Sequence, residues 1–124
     1  MKITLLTDER IRLEGAAPPL TIEADDPQRY YSPFHMLASS LATCVYSVLH
    51  SWAGNAKIPA DDLMLEVGWS FAENPYRVGT MELELIWPSL PEQRRTAAER
   101  ATHLCTVHNT LQHPPEISTT VRSA

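Results

Sequence analysis

The chain has 124 residues, 44% of them hydrophobic, with 15 acidic side chains against 10 lysines and arginines and a net charge of −5 at pH 7. That balance excludes a general nucleic-acid binder, which presents a basic stripe, and no apolar run approaches the roughly 20 residues that span a bilayer. The length predicts one domain, residues 1–124, with a core small enough for a subunit interface to matter to stability.

The opening MKITLLTDERIRLEG alternates and carries charge early, unlike the unbroken apolar centre of a signal peptide, so a cytoplasmic protein is expected. Within it, Lys2–Leu6 and Arg10–Glu14 alternate apolar and polar residues as a half-buried strand requires. Gly15–Pro19 reads as a turn, Leu20–Glu23 as a second strand, and Asp25-Asp26-Pro27 as the end of the sheet. Ser32-Pro33 is a helix start, a serine N-cap before a proline at the first helical position. Phe34, Leu37, Leu41, Val45, Val48 and Trp52 then recur at steps of three and four and form one apolar stripe. Cys44 lies at its edge, and the small residues Ser40, Ser47 and Ser51 beside it let another backbone or subunit approach. Gly54-Asn55 is the predicted end of this long, central helix.

Leu63–Phe71 is the cleanest alternation in the chain, and after a turn at Asn74-Pro75 it is answered by Val78–Trp87, so the two predict a hairpin. Trp52, Trp69 and Trp87 read as core or interface aromatics. Glu92–Leu104 predicts a polar helix with Ala97, Ala98, Ala101 and Leu104 on its apolar side, followed by a short helix at Thr106–Leu111. Pro114-Pro115 stops that helix, and Glu116–Arg122 reads as a last strand. The order is ββ, long helix, ββ, helix pair, β, which is α+β with a mainly antiparallel sheet.

Two cysteines are the chemical signal. In a cytoplasm both thiols stay reduced, so the pair suggests redox chemistry or metal binding before a structural disulfide. Cys44 taken alone also fits a small buried helix residue, and Cys105 a half-buried cap between two helices. At that break, the N-terminus of the following helix is expected to favour a Cys105 thiolate. Helical spacing puts His108 beside Cys105 and points His103 elsewhere. A reactive Cys44 needs a cation nearby, and Arg10, Arg12 and Arg29 are the upstream candidates. Zinc held by Cys44, Cys105 and His108, with His103 or His35 as fourth ligand, lacks any paired ligand knuckle, so no metal is expected. His35, nine residues before Cys44, falls on the opposite side of a regular helix about 13 Å away and reads as a surface histidine, while His50, facing away from the apolar stripe, and His113, before two prolines, are not expected to be functional. The chain has no phosphate loop, nucleophile elbow or paired-carboxylate motif.

Ser32-Pro33 with Met36-Leu37-Ala38 and Leu41-Ala42-Thr43-Cys44 is followed by a long hairpin. Then comes Ala101-Thr102-His103-Leu104-Cys105-Thr106-Val107-His108-Asn109-Thr110-Leu111 ahead of a final strand. Over roughly residues 30–122 this arrangement resembles the OsmC/Ohr family of thiol-dependent peroxidases. The resemblance implies an intertwined homodimer, its long helices central and its two active sites at the subunit interface. It implies reduction of organic hydroperoxides in oxidative-stress defence, with Cys44 the peroxidatic thiol, Cys105 the resolving one, a small thiol or lipoyl-bearing reductant, and no cofactor. Phe34, Leu37, Leu41 and His108 are the expected pocket. The Ohr branch has a glutamate directly after the helix-opening proline. Here that position is Phe34, so an arginine–glutamate pair does not carry over. The rival expectation is a non-enzymatic OsmC-fold protein binding a small hydrophobic molecule at the dimer interface, which the apolar Phe34 favours.

Overall fold

The computed structural model describes the backbone of residues 2–7, 10–14 and 21–23, and residues 32–123 with their side chains. The chain divides into two compact units, Met1–Ser39 and Ser40–Ala124.

In the first unit, strands β1 (Lys2–Thr7), β2 (Arg10–Glu14) and β3 (Thr21–Glu23) form an antiparallel sheet in the order β1-β2-β3. Three strands therefore stand where the sequence predicted two. The charged Asp8-Glu9 pair interrupts the first apolar alternation, and β1 turns back on β2 with Lys2 opposite Glu14. Helix α1 runs Pro33–Ala56. Its predicted cap is formed: the Ser32 hydroxyl accepts from the His35 N–H at 3.2 Å and also meets His35 Nδ1 at 2.7 Å.

In the second unit, α1 continues past Gly54-Asn55. Gly54 stays helical, and the chain leaves the helix only when Lys57 takes a left-handed φ of 56°. The Ile58 N–H then bonds to the Ala53 carbonyl at 2.9 Å and the Lys57 N–H to the Gly54 carbonyl at 3.3 Å. This is the six-to-one and five-to-two pattern that satisfies the last carbonyls of a helix. Ile58 and Ala53 are both buried, which supplies the apolar contact such ends carry.

The buried face of α1 in this unit is Leu41, Val45, Leu49 and Ala53, with Val48 and Trp52 at its margin. The predicted stripe runs to one side of this face: it passes through the half-buried Val48 and Trp52 and omits Leu49 and Ala53, both fully buried. Ile58, Ala60, Leu63, Trp87, Ala98, Ala101 and Cys105 complete this core. Trp87 meets Trp52 edge-on, with centroids 6.1 Å apart, while its indole N–H donates to the Pro59 carbonyl at 2.9 Å. Asp62 accepts from the Ser89 N–H and hydroxyl, both at 2.7 Å, and so ties the loop after α1 to the chain beyond the hairpin.

Strands β4 (Met64–Ala72) and β5 (Arg77–Ile86) form the predicted antiparallel hairpin. Leu65, Val67 and Trp69 face Leu85, Leu83 and Met81 on the half-buried side, as the period of two requires. On the exposed side Glu66 stands opposite Glu84 and the Ser70 and Thr80 hydroxyls are hydrogen-bonded. The register slips between Ser70 and Phe71, leaving Gly79 as the extra residue of a bulge. A Cβ at Gly79 would lie 2.6 Å from the Ala72 Cβ, so only glycine fits there.

Glu92–Arg94 is a single 3₁₀ turn leading into α2 (Arg95–Thr102), and α3 spans Thr106–Gln112. Because α2 stops at Thr102, Leu104 falls off its apolar side and is 72% exposed, against expectation, while Ala98 and Ala101 are buried. The predicted strand Glu116–Arg122 is not formed: residues 114–123 have no regular secondary structure, and Ile117 and Val121 are each 88% exposed. A strand needs a neighbour for its backbone groups, and among the described residues of the single chain none pairs with this segment. No helix among the described residues is long and apolar enough to cross a membrane.

Candidate active site

The α2–α3 junction explains how two distant cysteines meet. At the end of α2, the N–H groups of His103, Leu104 and Cys105 bond back to the carbonyls of Arg100, Ala101 and Thr102, tightening the chain into successive short turns. Cys105 then swings to an extended ψ of 122° and becomes the N-cap of α3. Its Sγ accepts the His108 N–H at 3.3 Å, and its carbonyl accepts the Asn109 N–H at 3.0 Å. A thiol thus fills the place usually taken by a serine or aspartate oxygen. Cys105 is fully buried in the core, and half-buried Cys44 of α1 packs against the same cluster.

The two thiols interact directly, and each shifts the acidity of the other. Burial pushes the Cys44 thiol up, but hydrogen bonds from the Cys105 side chain and from the backbone N–H groups of Val107 and Thr106 outweigh it. The net effect holds Cys44 below the ordinary thiol range. For Cys105, burial and the contact with Cys44 push its thiol above that range, and the backbone donors of His108 and Val107 only partly offset them. The expected thiolate at Cys105 is therefore reversed. The backbone donors that stabilise charge at this turn favour Cys44 instead. Such donors are invisible in a sequence, because any residue supplies an N–H and only the chain direction aims it.

His108 lies beside Cys105 as its spacing predicts, half-buried. His103 does not point elsewhere. Its ring meets that of His108 edge-on, centroids 5.1 Å apart at 79°, because the helix breaks between them and the turn brings His103 back. The buried Leu41 side of α1 and Val107 belong to the apolar surroundings of the cysteine pair. Phe34 and Leu37 lie in the first unit, in the opening turns of α1, with Phe34 37% exposed. Arg10 and Arg12 fall on β2 and Arg29 precedes α1; these three side chains lie outside the described residues. Among the described residues no group of three or more His, Cys, Asp or Glu side chains is gathered as metal ligands.

Two thiols at a helix junction, beside a long helix and an antiparallel hairpin, stand in an α+β arrangement. The family model for OsmC-like protein matches residues 23–120, and the chain belongs to that family. Two crystal structures resemble it in fold. One, from Psychrobacter arcticus 273-4, is described as an osmotic stress induced and detoxification response protein. It has 21% identity and a TM-score of 0.76 over 88% of this chain and 85% of that one. The other is an OsmC-like hydroperoxide resistance protein from Jannaschia sp. CCS1, with 22% identity and a TM-score of 0.58 over 95% of this chain and 87% of that one. No curated protein matches the sequence.

Proposed function

We propose that this chain is a thiol-dependent peroxidase that reduces organic hydroperoxides at the Cys44/Cys105 pair. The Cys44 thiolate attacks the distal peroxide oxygen and the O–O bond breaks; Cys44 becomes a sulfenic acid, and the leaving alkoxide takes a proton from water to depart as the alcohol. Cys105 then displaces the sulfenic oxygen as water and closes a disulfide. A thiol or lipoyl-type donor, itself oxidised to a disulfide, returns both cysteines to thiols. The observation that carries this assignment of roles is the opposite acidity of the two thiols, lowered at Cys44 and raised at Cys105. A peroxidatic cysteine must be thiolate at rest, whereas a resolving one is needed only afterwards. Membership of the OsmC-like family and likeness in fold to a hydroperoxide resistance protein support the reading.

A homodimer and a cytoplasmic setting, where thiols are kept reduced, belong to the same proposal. Exposed Met64, Leu104, Ile117 and Val121 give a second copy apolar surface to cover. The rival ligand-binding reading draws on exposed Phe34 where the Ohr branch has a glutamate. Mass spectrometry after one equivalent of cumene hydroperoxide decides between them. A peroxidase loses two hydrogens and yields one Cys44–Cys105 linked peptide, whereas two free thiols and unconsumed peroxide leave the hydrophobic-ligand reading standing.

A further inference from the structure

The cycle above asks Cys105 to attack a sulfenic acid from surroundings that keep it protonated. Its proton has to go somewhere before the sulfur becomes nucleophilic.

One side chain on the adjoining turn carries an unbonded acceptor atom. Cys105 is the N-cap of α3 and His108 its third residue. Side chains at these two positions face each other, and a residue at the second commonly reaches back to bond the N-cap N–H. Here that N–H is already committed to the Thr102 carbonyl at 3.2 Å. The His108 Nδ1 is buried and makes no hydrogen bond, the one side-chain atom of that kind among the described residues. A buried polar atom without a partner is costly, and its retention beside a redox pair calls for a use. His103 does not satisfy it, since the two rings meet edge to face. The other titratable groups at this junction are Cys44 on α1 and Cys105 itself, while Arg95, Glu99 and Arg100 of α2 are exposed.

We infer that His108 accepts the Cys105 proton at Nδ1 during disulfide formation, an inference that rests on Cys105 being the resolving thiol. The Cys105 S–H bond breaks and its proton passes to Nδ1. The sulfur electron pair forms the S–S bond with Cys44 as the S–O bond of the sulfenic acid breaks. The oxygen leaves as water, taking back the proton from the imidazolium. Atoms and electrons balance within the two cysteines and no outside oxidant is needed.

The test uses an aromatic disulfide reagent, 5,5′-dithiobis(2-nitrobenzoate), on the reduced full-length protein. The first burst of thionitrobenzoate reports Cys44, and the second reports Cys105 attacking the mixed disulfide on Cys44. His108→Ala and His108→Asn should both slow the second burst at neutral pH by about 10- to 100-fold, within or just below the usual span of general acid–base catalysis. The ratio of the second rate to the first, read in one trace, separates this effect from any change at Cys44, and far-ultraviolet circular dichroism reports an intact fold. The deficit should shrink as pH rises toward the Cys105 thiol range, and added imidazole should restore part of the rate to His108→Ala. A second burst of unchanged rate, or one slowed equally at every pH, overturns the inference. Cumene hydroperoxide separates it from the peroxidase reading. Peroxide turnover with a His108-independent second burst removes His108 and leaves that reading. A His108-dependent second burst in a protein that never consumes peroxide removes that reading and keeps the role of His108 toward Cys105.

Discussion

Cys44 and Cys105 hydrogen-bond to each other, and the contact moves their acidities apart: it lowers the thiol of Cys44 and raises that of Cys105. Between the two thiol values Cys44 is mostly thiolate and Cys105 mostly thiol. Iodoacetamide consumes only thiolates. As pH is raised, Cys44 should therefore alkylate first, with a midpoint below that of free cysteine, and Cys105 later, with a midpoint above it. Cys105→Ala removes one donor and leaves burial opposed by the Val107 and Thr106 N–H groups alone, so the Cys44 midpoint should move up. Peptide mapping across pH 6 to 11, a span about the ordinary thiol value, checks this. Earlier labelling of Cys105 would reverse the assignment.

Peroxide kinetics should separate the roles in turn. Cys44→Ser should abolish hydroperoxide consumption, because the hydroxyl is not ionised at neutral pH. Cys105→Ser should consume one equivalent and then stall with a sulfenic acid that a dimedone probe traps on Cys44. Sustained dithiol-driven turnover by Cys105→Ser at the wild-type rate would show that resolution does not pass through Cys105.

Local signals in the sequence led to the right elements wherever one residue type fixes the backbone. Ser32 with Pro33 set the start of α1, and the strict alternation from Leu63 to Trp87 set the hairpin and its buried face. Errors arose where tertiary context decides. Leu49 and Ala53 are both fully buried, yet an apolar stripe drawn through Val48 and Trp52 passes them by. The turn after Thr102 threw Leu104 into solvent and brought His103 onto His108, although both effects depend on a helix break of only a few residues. At the candidate site, the placement of His108 beside Cys105 was legible from helical spacing. Which thiol is the more acidic was not, because the deciding donors are the backbone N–H groups of Thr106 and Val107.

The hairpin bulge gives a sharp packing test. Gly79→Ala would put a methyl group 2.6 Å from the Ala72 Cβ, well inside contact distance and backed by the Ala72 backbone. Overpacking of this kind costs about 1–3 kcal/mol. The urea midpoint should fall accordingly, and adding Ala72→Gly should recover a substantial part of the loss by removing the methyl it meets. Non-additivity in this double-mutant cycle is the expected signature of direct contact.

On the exposed face of the same hairpin, Glu66 and Glu84 stand directly opposite one another. Like charges in that position destabilise a sheet, and an opposite-charge pair contributes about 0.2–1 kcal/mol. Glu84→Lys should therefore raise the urea midpoint at low salt, with the gain shrinking as ionic strength rises. A variant less stable than wild type at low salt would mean that Glu84 has another partner.

The C-terminal segment bears on the proposed dimer. Glu116–Arg122 alternates like a strand, yet residues 114–123 have no regular structure and both Ile117 and Val121 are 88% exposed. Two large β-branched side chains left in water four residues apart are costly in a lone chain, and a strand pattern without a neighbour has unpaired backbone groups to satisfy. A second copy can supply both an apolar face and an edge. Ile117→Lys combined with Val121→Lys should charge that face and oppose pairing, as lysine does on natural sheet edges. In sedimentation velocity at micromolar concentration the wild type should run as a dimer of the 13.9 kDa chain and the double variant as a monomer. Circular dichroism should show the helices of the variant intact, since neither residue belongs to the buried core. A wild type that stays monomeric, or a double variant that dimerises equally well, would take this segment out of the interface.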